Sequence, residues 1–106
     1  MNVCTGSYST EISWTLVNDD GTGESCSSPN YYSSNYACSY SASPTLNTYT
    51  GCGTMKKGNY RLYCRDSYGD GWNYAYVIIP ESHDPTEKWC QSFRNGYSYV
   101  EHLMIV

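Results

Sequence analysis

The chain has 106 residues, one domain's worth, with ten acidic against six basic side chains and a net charge of −4. By surface-to-volume scaling a chain of this size buries roughly two-thirds of its unfolded surface. With no basic cluster longer than Lys56 and Lys57 the balance argues against a nucleic-acid partner, and without a run of about 18 apolar residues nothing in it is expected to span a membrane.

Thirteen Tyr, nine Gly and a single Phe favour strands and turns over helices. Residues 1–4 carry neither a charged n-region nor an apolar h-region, as expected where a signal has been removed or the sequence is a portion of a longer chain. A short strand is predicted at residues 2–5. In residues 11–17, Ile12, Trp14 and Leu16 alternate with Glu11, Ser13 and Thr15, the period-two signature of a half-buried strand. Asn18, Asp19, Asp20 and Gly21 then supply turn chemistry.

Residues 24–54 are the least apolar part: eleven of the residues 25–50 are Ser or Thr, interleaved with Tyr31, Tyr32, Tyr36, Tyr40 and Tyr49. Pro29 and Pro44 interrupt any long strand. Cys26, Cys38 and Cys52 punctuate this stretch and would pin it to a core, so the reading is an ordered excursion of short strands within one domain spanning residues 1–106. No N-x-S/T sequon occurs, whereas hydroxyl-linked glycans suit Ser33, Ser34, Ser41, Ser43 and Thr45.

From Gly58 the pattern sharpens. Residues 58–65 read as a strand with Tyr60, Leu62 and Cys64 on one face, and residues 72–79 as a strand apolar on both faces. Residues 87–93 read as a further strand, Asn95 and Gly96 as a hairpin signal, and residues 97–106 as the last strand. The tally of seven to nine strands and no helix predicts an all-β, disulfide-stapled β-sandwich of jelly-roll type. The last strand ends in an uncapped apolar run, which suits burial inside the domain or against another copy, or strand donation between subunits.

The six cysteines, Cys4, Cys26, Cys38, Cys52, Cys64 and Cys90, contain no C-x2-C pair, so zinc-ribbon and redox readings lose their support. An even, widely spread set in a small domain reads as three disulfides of open connectivity, formed in an oxidising compartment.

The stretch 66–73, DSYGDGWN, concentrates the chemistry. Gly69 and Gly71 permit positive φ, Asp66 and Asp70 accept backbone N–H bonds, and Trp72 caps the sandwich, so a demanding turn accounts for every residue. Calcium is the sharper reading: Asp66, Asp70 and the Asn73 amide are hard oxygen ligands. Two carboxylates make a weak site, so Asp19 and Asp20, or Glu81 and Asp84, would have to approach. The cofactor expectation is therefore none, or Ca2+.

Asp66, Ser67, Tyr68, Gly69, Asp70, Gly71, Trp72 and Asn73, together with Glu11, Ser13 and Trp14 upstream, resemble a secreted β-sandwich module of extracellular proteins in algae, other protists and some bacteria. The resemblance covers roughly residues 3–80. Such modules commonly continue with Gly after the Asn, where Tyr74 stands here. It implies an extracellular, surface-structural setting without catalysis. A looser resemblance, in class and composition, is to the jelly-roll protomers of glycan-coated extracellular filaments.

Catalytic patterns are incomplete. There is no G-x-S-x-G, H-E-x-x-H or phosphate loop; the cysteines are committed to disulfides; His83 reads as a solvated loop residue; and Glu11 and Asp66 as a glycosidase pair have no separation that sequence can measure. No enzyme is expected. Tyr31, Tyr32, Tyr36, Trp72, Tyr74 and Tyr76 are candidates for carbohydrate stacking or for contacts between copies. The functional expectation is an extracellular structural subunit assembling with identical copies into a filament or surface layer. The alternative is a carbohydrate- or calcium-binding adhesion module of a larger secreted protein.

Overall fold

The computed structural model describes residues 1–6, 9–19, 25–28, 46–53 and 55–106. Among them the chain is all-β apart from a 3-10 turn at Ser9–Glu11. Seven strands are formed: β1 (Asn2–Cys4), β2 (Ile12–Asn18), β3 (Ser25–Ser27), β4 (Asn47–Thr48), β5 (Gly58–Asp66), β6 (Tyr76–Ile78) and β7 (Ser98–Ile105). They make two antiparallel sheets, one of three strands in the order β4-β1-β6 and one of four in the order β3-β2-β5-β7.

Period-two patterning puts the larger sheet in place. Ile12, Trp14 and Leu16 of β2 are buried while Ser13, Thr15 and Val17 are half-buried. On the neighbouring β5, Tyr60, Leu62 and Cys64 sink into the same core. The β2/β5 register runs from Ile12 opposite Asp66 to Asn18 opposite Tyr60, so the start of β2 and the end of β5 meet at one apex of the molecule. β7 flanks β5 on the other side, with Gly58 opposite Ile105 and Arg65 opposite Ser98. The apolar terminal run is therefore taken up within its own sheet, with Leu103 and Ile105 buried. Val3, Trp72, Val77, Ile79 and Phe93 complete the core.

Among the described residues two disulfides staple this frame, Cys26–Cys52 and Cys64–Cys90, each closing a sequence separation of 26 residues; Cys4 is disulfide-bonded as well, and no described cysteine is free. In the chain-entropy account each is worth about 3.5 kcal/mol through its constraint on the unfolded chain. Their presence fits an oxidising compartment.

Two expected strands are cut short by backbone geometry. Asn73 and Tyr74 both take positive φ, 50° and 72°, and the Ala75 N–H donates to the Trp72 carbonyl at 2.9 Å. These are the features of a type I′ turn, and β6 starts only after it. In residues 87–93 only Trp89 pairs, exchanging both hydrogen bonds with Val77 at 2.9 Å. Cys90, at φ 70°, then turns the chain away from the ladder. Tyr31, Tyr32, Tyr36, Cys38 and the five candidate glycan hydroxyls lie outside the described residues.

Candidate metal centre

The apex where β2 begins and β5 ends is built by short-range bonds. The Ser67 N–H donates to the Glu11 carbonyl at 2.9 Å and the Asp66 N–H to the Tyr97 carbonyl at 2.9 Å. Between them residues 66–72 form a tight loop. The Asp70 N–H donates to Asp66 Oδ2 at 2.7 Å, a side-chain bond that closes the loop on itself. Gly69 and Gly71 supply φ of 89° and 79°. A Cβ on Gly71 would come within 2.5 Å of the Arg94 backbone, so this position requires the absence of a side chain. The loop is closed from beneath by Trp72, whose indole N–H donates to the Arg65 carbonyl at 2.8 Å and whose amide donates to the Phe93 carbonyl at 2.8 Å. The adjoining turn locks on through Gly71 N–H to Gly96 O at 3.2 Å and Gly96 N–H to Gly69 O at 3.0 Å.

This construction brings three carboxylates together. One oxygen from each of Glu11, Asp66 and Asp70 lies within 4.8 Å of the other two. Each of the three residues also has a buried carboxylate oxygen without a hydrogen-bond partner: Glu11 Oε2, Asp66 Oδ1 and Asp70 Oδ1. Asp66 itself is 2% exposed. A buried acceptor left unpaired costs about 1–3 kcal/mol, and more when it is ionised.

The electrostatics agree with the geometry. Burial holds the Glu11 carboxyl above its usual range, and the neighbouring Asp66 and Asp70 charges push it further. Asp66 is raised chiefly by burial, then by its side-chain interaction with Asp70. Arg65, the nearest cation in sequence, turns to the opposite face of β5, where its guanidinium lies 5.3 Å from the Tyr63 ring. Among the described residues the ion pair is Arg61 with Asp19, at the far end of the sheet.

Hard, anionic oxygens converging on a common point suit a hard divalent cation. Calcium bonds of about 2.3–2.6 Å place ligands on opposite sides of the ion up to roughly 5 Å apart, which the observed spread matches. The remaining positions of a six- to eight-fold shell fall to backbone carbonyls, water or an external ligand.

Of the three expected ligands, Asp66 and Asp70 stand in the cluster. The amide nitrogen of Asn73 instead faces the Gly71 carbonyl at 3.4 Å. Asp19 is held by Arg61, while Glu81 and Asp84 belong to the turn beside the end of β7, where the Val106 N–H donates to the Glu81 carbonyl at 3.0 Å. The third carboxylate is Glu11, whose signal in the sequence is its place immediately before the amphipathic strand. Trp72 and Tyr76 are each 1% exposed, so their rings are core and unavailable to a ligand. Tyr74 is 39% exposed, with the Arg94 guanidinium 4.7 Å from its ring centre. His83 is exposed as expected, and its Nδ1 accepts the Met104 N–H at 3.1 Å. An open cavity of about 540 Å³ lies at the other end of β5, lined by Asp19, Asn59, Tyr60, His83, His102 and Met104 among others.

Comparison with known proteins finds no matching family, no matching curated sequence and no matching solved structure. The functional reading therefore rests on the apex itself.

Proposed function

We propose that this chain is a calcium-binding module of an extracellular protein, serving adhesion or surface structure rather than catalysis. The carrying observation is the convergence of Glu11, Asp66 and Asp70 within 4.8 Å, each with a buried oxygen left unpaired. Such a cluster is costly without a cation and favourable with one, because the ion replaces three-way repulsion by attraction. The disulfides and the polar-aromatic composition support the extracellular setting.

Terbium tests the site directly, since it substitutes for calcium and is sensitised by nearby indole and phenol rings. Titration of the native protein should give saturable luminescence that calcium displaces and that D66N abolishes. Luminescence that does not saturate, or that is equal in D66N, removes the reading.

The self-assembling subunit remains a second reading, favoured by the outer face of β7, where Val100 is 39% and Met104 44% exposed. Apolar side chains exposed on one face of a strand suit contact with another copy. Sedimentation velocity across a concentration series decides it: growing species support assembly, and a constant monomer opposes it.

A further inference from the structure

The exposed aromatic side chains among the described residues are not scattered. Tyr68 (73% exposed), Tyr74 (39%) and Tyr97 (68%) all sit on the carboxylate apex: two in and directly after the 66–72 loop, and one on the turn that hydrogen-bonds to it. The ring of Tyr97 lies over Gly69, where an added Cβ would meet it at 2.6 Å. Tyr68 lies between the two aspartates in sequence. Phenol rings left in water beside a cation site need a reason, since burying them elsewhere would be favourable by about 25 cal/mol per Å².

From this we infer that the apex is a carbohydrate site in which the calcium ion and the tyrosines act together, an inference that rests on the cation reading above. Glu11, Asp66 and Asp70 supply three of the six to eight oxygens that calcium takes, and the half-buried Glu11 and Asp70 form the rim from which an outside ligand would complete the shell. Two vicinal hydroxyls of a neutral sugar are hard, uncharged oxygens that displace water from such positions. The same sugar presents an apolar C–H face, and aromatic rings beside the ion offer it a stacking surface. Tyr68 and Tyr97 are the stacking residues, and Arg94, stacked on Tyr74, is placed to donate hydrogen bonds to outlying hydroxyls. No bond is made or broken; the site binds and releases.

A vicinal diol is the shared chemistry, and its stereochemistry is what the test resolves. A β-glucan, an α-mannan and a galactan between them present diequatorial and axial–equatorial diols. Affinity electrophoresis of the native protein through gels containing each polymer, with calcium or with EDTA, reads binding as retardation; terbium titration of the same samples reads the ion separately. The expected result is retardation by at least one polymer in calcium only. Y68A and Y97A should each weaken it at least tenfold while leaving the midpoint of the terbium titration unchanged, whatever luminescence amplitude the lost phenol removes, and D66N should lose both signals. Because Tyr68 is nearly three-quarters exposed, Y68A leaves the core intact.

If terbium does not bind, the cation reading and the sugar site fall together. If it binds and none of the polymers retards the protein, only the sugar site falls. Equal retardation in EDTA, or in Y68A and Y97A, overturns it as well. A calcium-dependent oligomer abolished by Y68A would assign the tyrosines to a second copy instead.

Discussion

Replacing Asp66 by Asn separates charge from shape at the apex. The carboxamide oxygen can still accept the Asp70 N–H, now bonded to Asp66 Oδ2 at 2.7 Å, so the loop keeps its turn. What disappears is one of three like charges whose oxygens lie within 4.8 Å of one another. At that distance and an effective dielectric of about 20, each ionised pair repels by roughly 3.5 kcal/mol. Solvent at the open side and partial protonation cut this to a net relief of about 1 kcal/mol. In chelator at neutral pH, D66N should therefore melt roughly 4 °C above wild type. In calcium at a hundredfold excess over Kd, wild type gains about 2.7 kcal/mol by linkage, roughly 10 °C, and the variant gains none. The order of the two melting temperatures thus inverts between the two buffers. Scanning calorimetry of both proteins in EDTA and in calcium measures all four values. A variant that melts lower than wild type by the same amount in both buffers would mean that Asp66 makes a turn and nothing more.

Three further outcomes follow from the same geometry. Gly71→Ala places a Cβ 2.5 Å from the Arg94 backbone at φ 79°, so it should cost at least about 2 kcal/mol in urea denaturation and abolish terbium binding; a neutral effect on both would show the loop to be pliable. Glu11 and Asp66 have folded pKa values raised above the usual 4.5 and 3.8, so the folded form holds protons to higher pH than the unfolded one. Their contribution to ion-free stability is fullest below pH 4 and is lost as pH rises through the raised values; the urea midpoint in EDTA should fall across that window less steeply in D66N, and calcium should reverse the trend at neutral pH. The double variant C64S/C90S removes a closed loop of 26 residues and should cost about 3.5 kcal/mol, read as a lowered urea midpoint. An unchanged midpoint would mean that this staple constrains little.

Where periodicity is strong, the sequence was legible. Ile12, Trp14 and Leu16 announce β2, and Tyr60, Leu62 and Cys64 announce β5, because a sheet buried on one face imposes a period of two. Residues 72–79 misled because an apolar run does not reveal left-handed backbone at Asn73 and Tyr74; a large aromatic at φ 72° is rare enough that extended structure was the natural expectation. The failure of residues 87–93 as a strand has the same cause at Cys90. Asp66 and Asp70 could be picked as ligands from their loop. Glu11 could be weighed against Asp66 only as a carboxylate pair of unknown separation and not as a ligand, being 55 positions away and brought to Asp66 by the β2/β5 register, a pairing that local chemistry does not encode. The exposure of Tyr68 and Tyr97, against the burial of Trp72 and Tyr76, likewise depends on which side of the turn each side chain leaves.

The indole of Trp72 has a kinetic consequence. By bonding to Arg65 across the base of the loop while its own amide is held by Phe93, it keeps residues 66–72 closed before any ion arrives. Binding then requires no folding of the loop and forfeits little chain entropy. Association should run near the diffusion limit, quickened at low ionic strength by the unneutralised carboxylates, so that affinity is governed almost wholly by how slowly the ion leaves. If the apex binds calcium as proposed, such a module acts as a rigid receptor whose response needs no rearrangement, unlike a sensor that must first fold its loop.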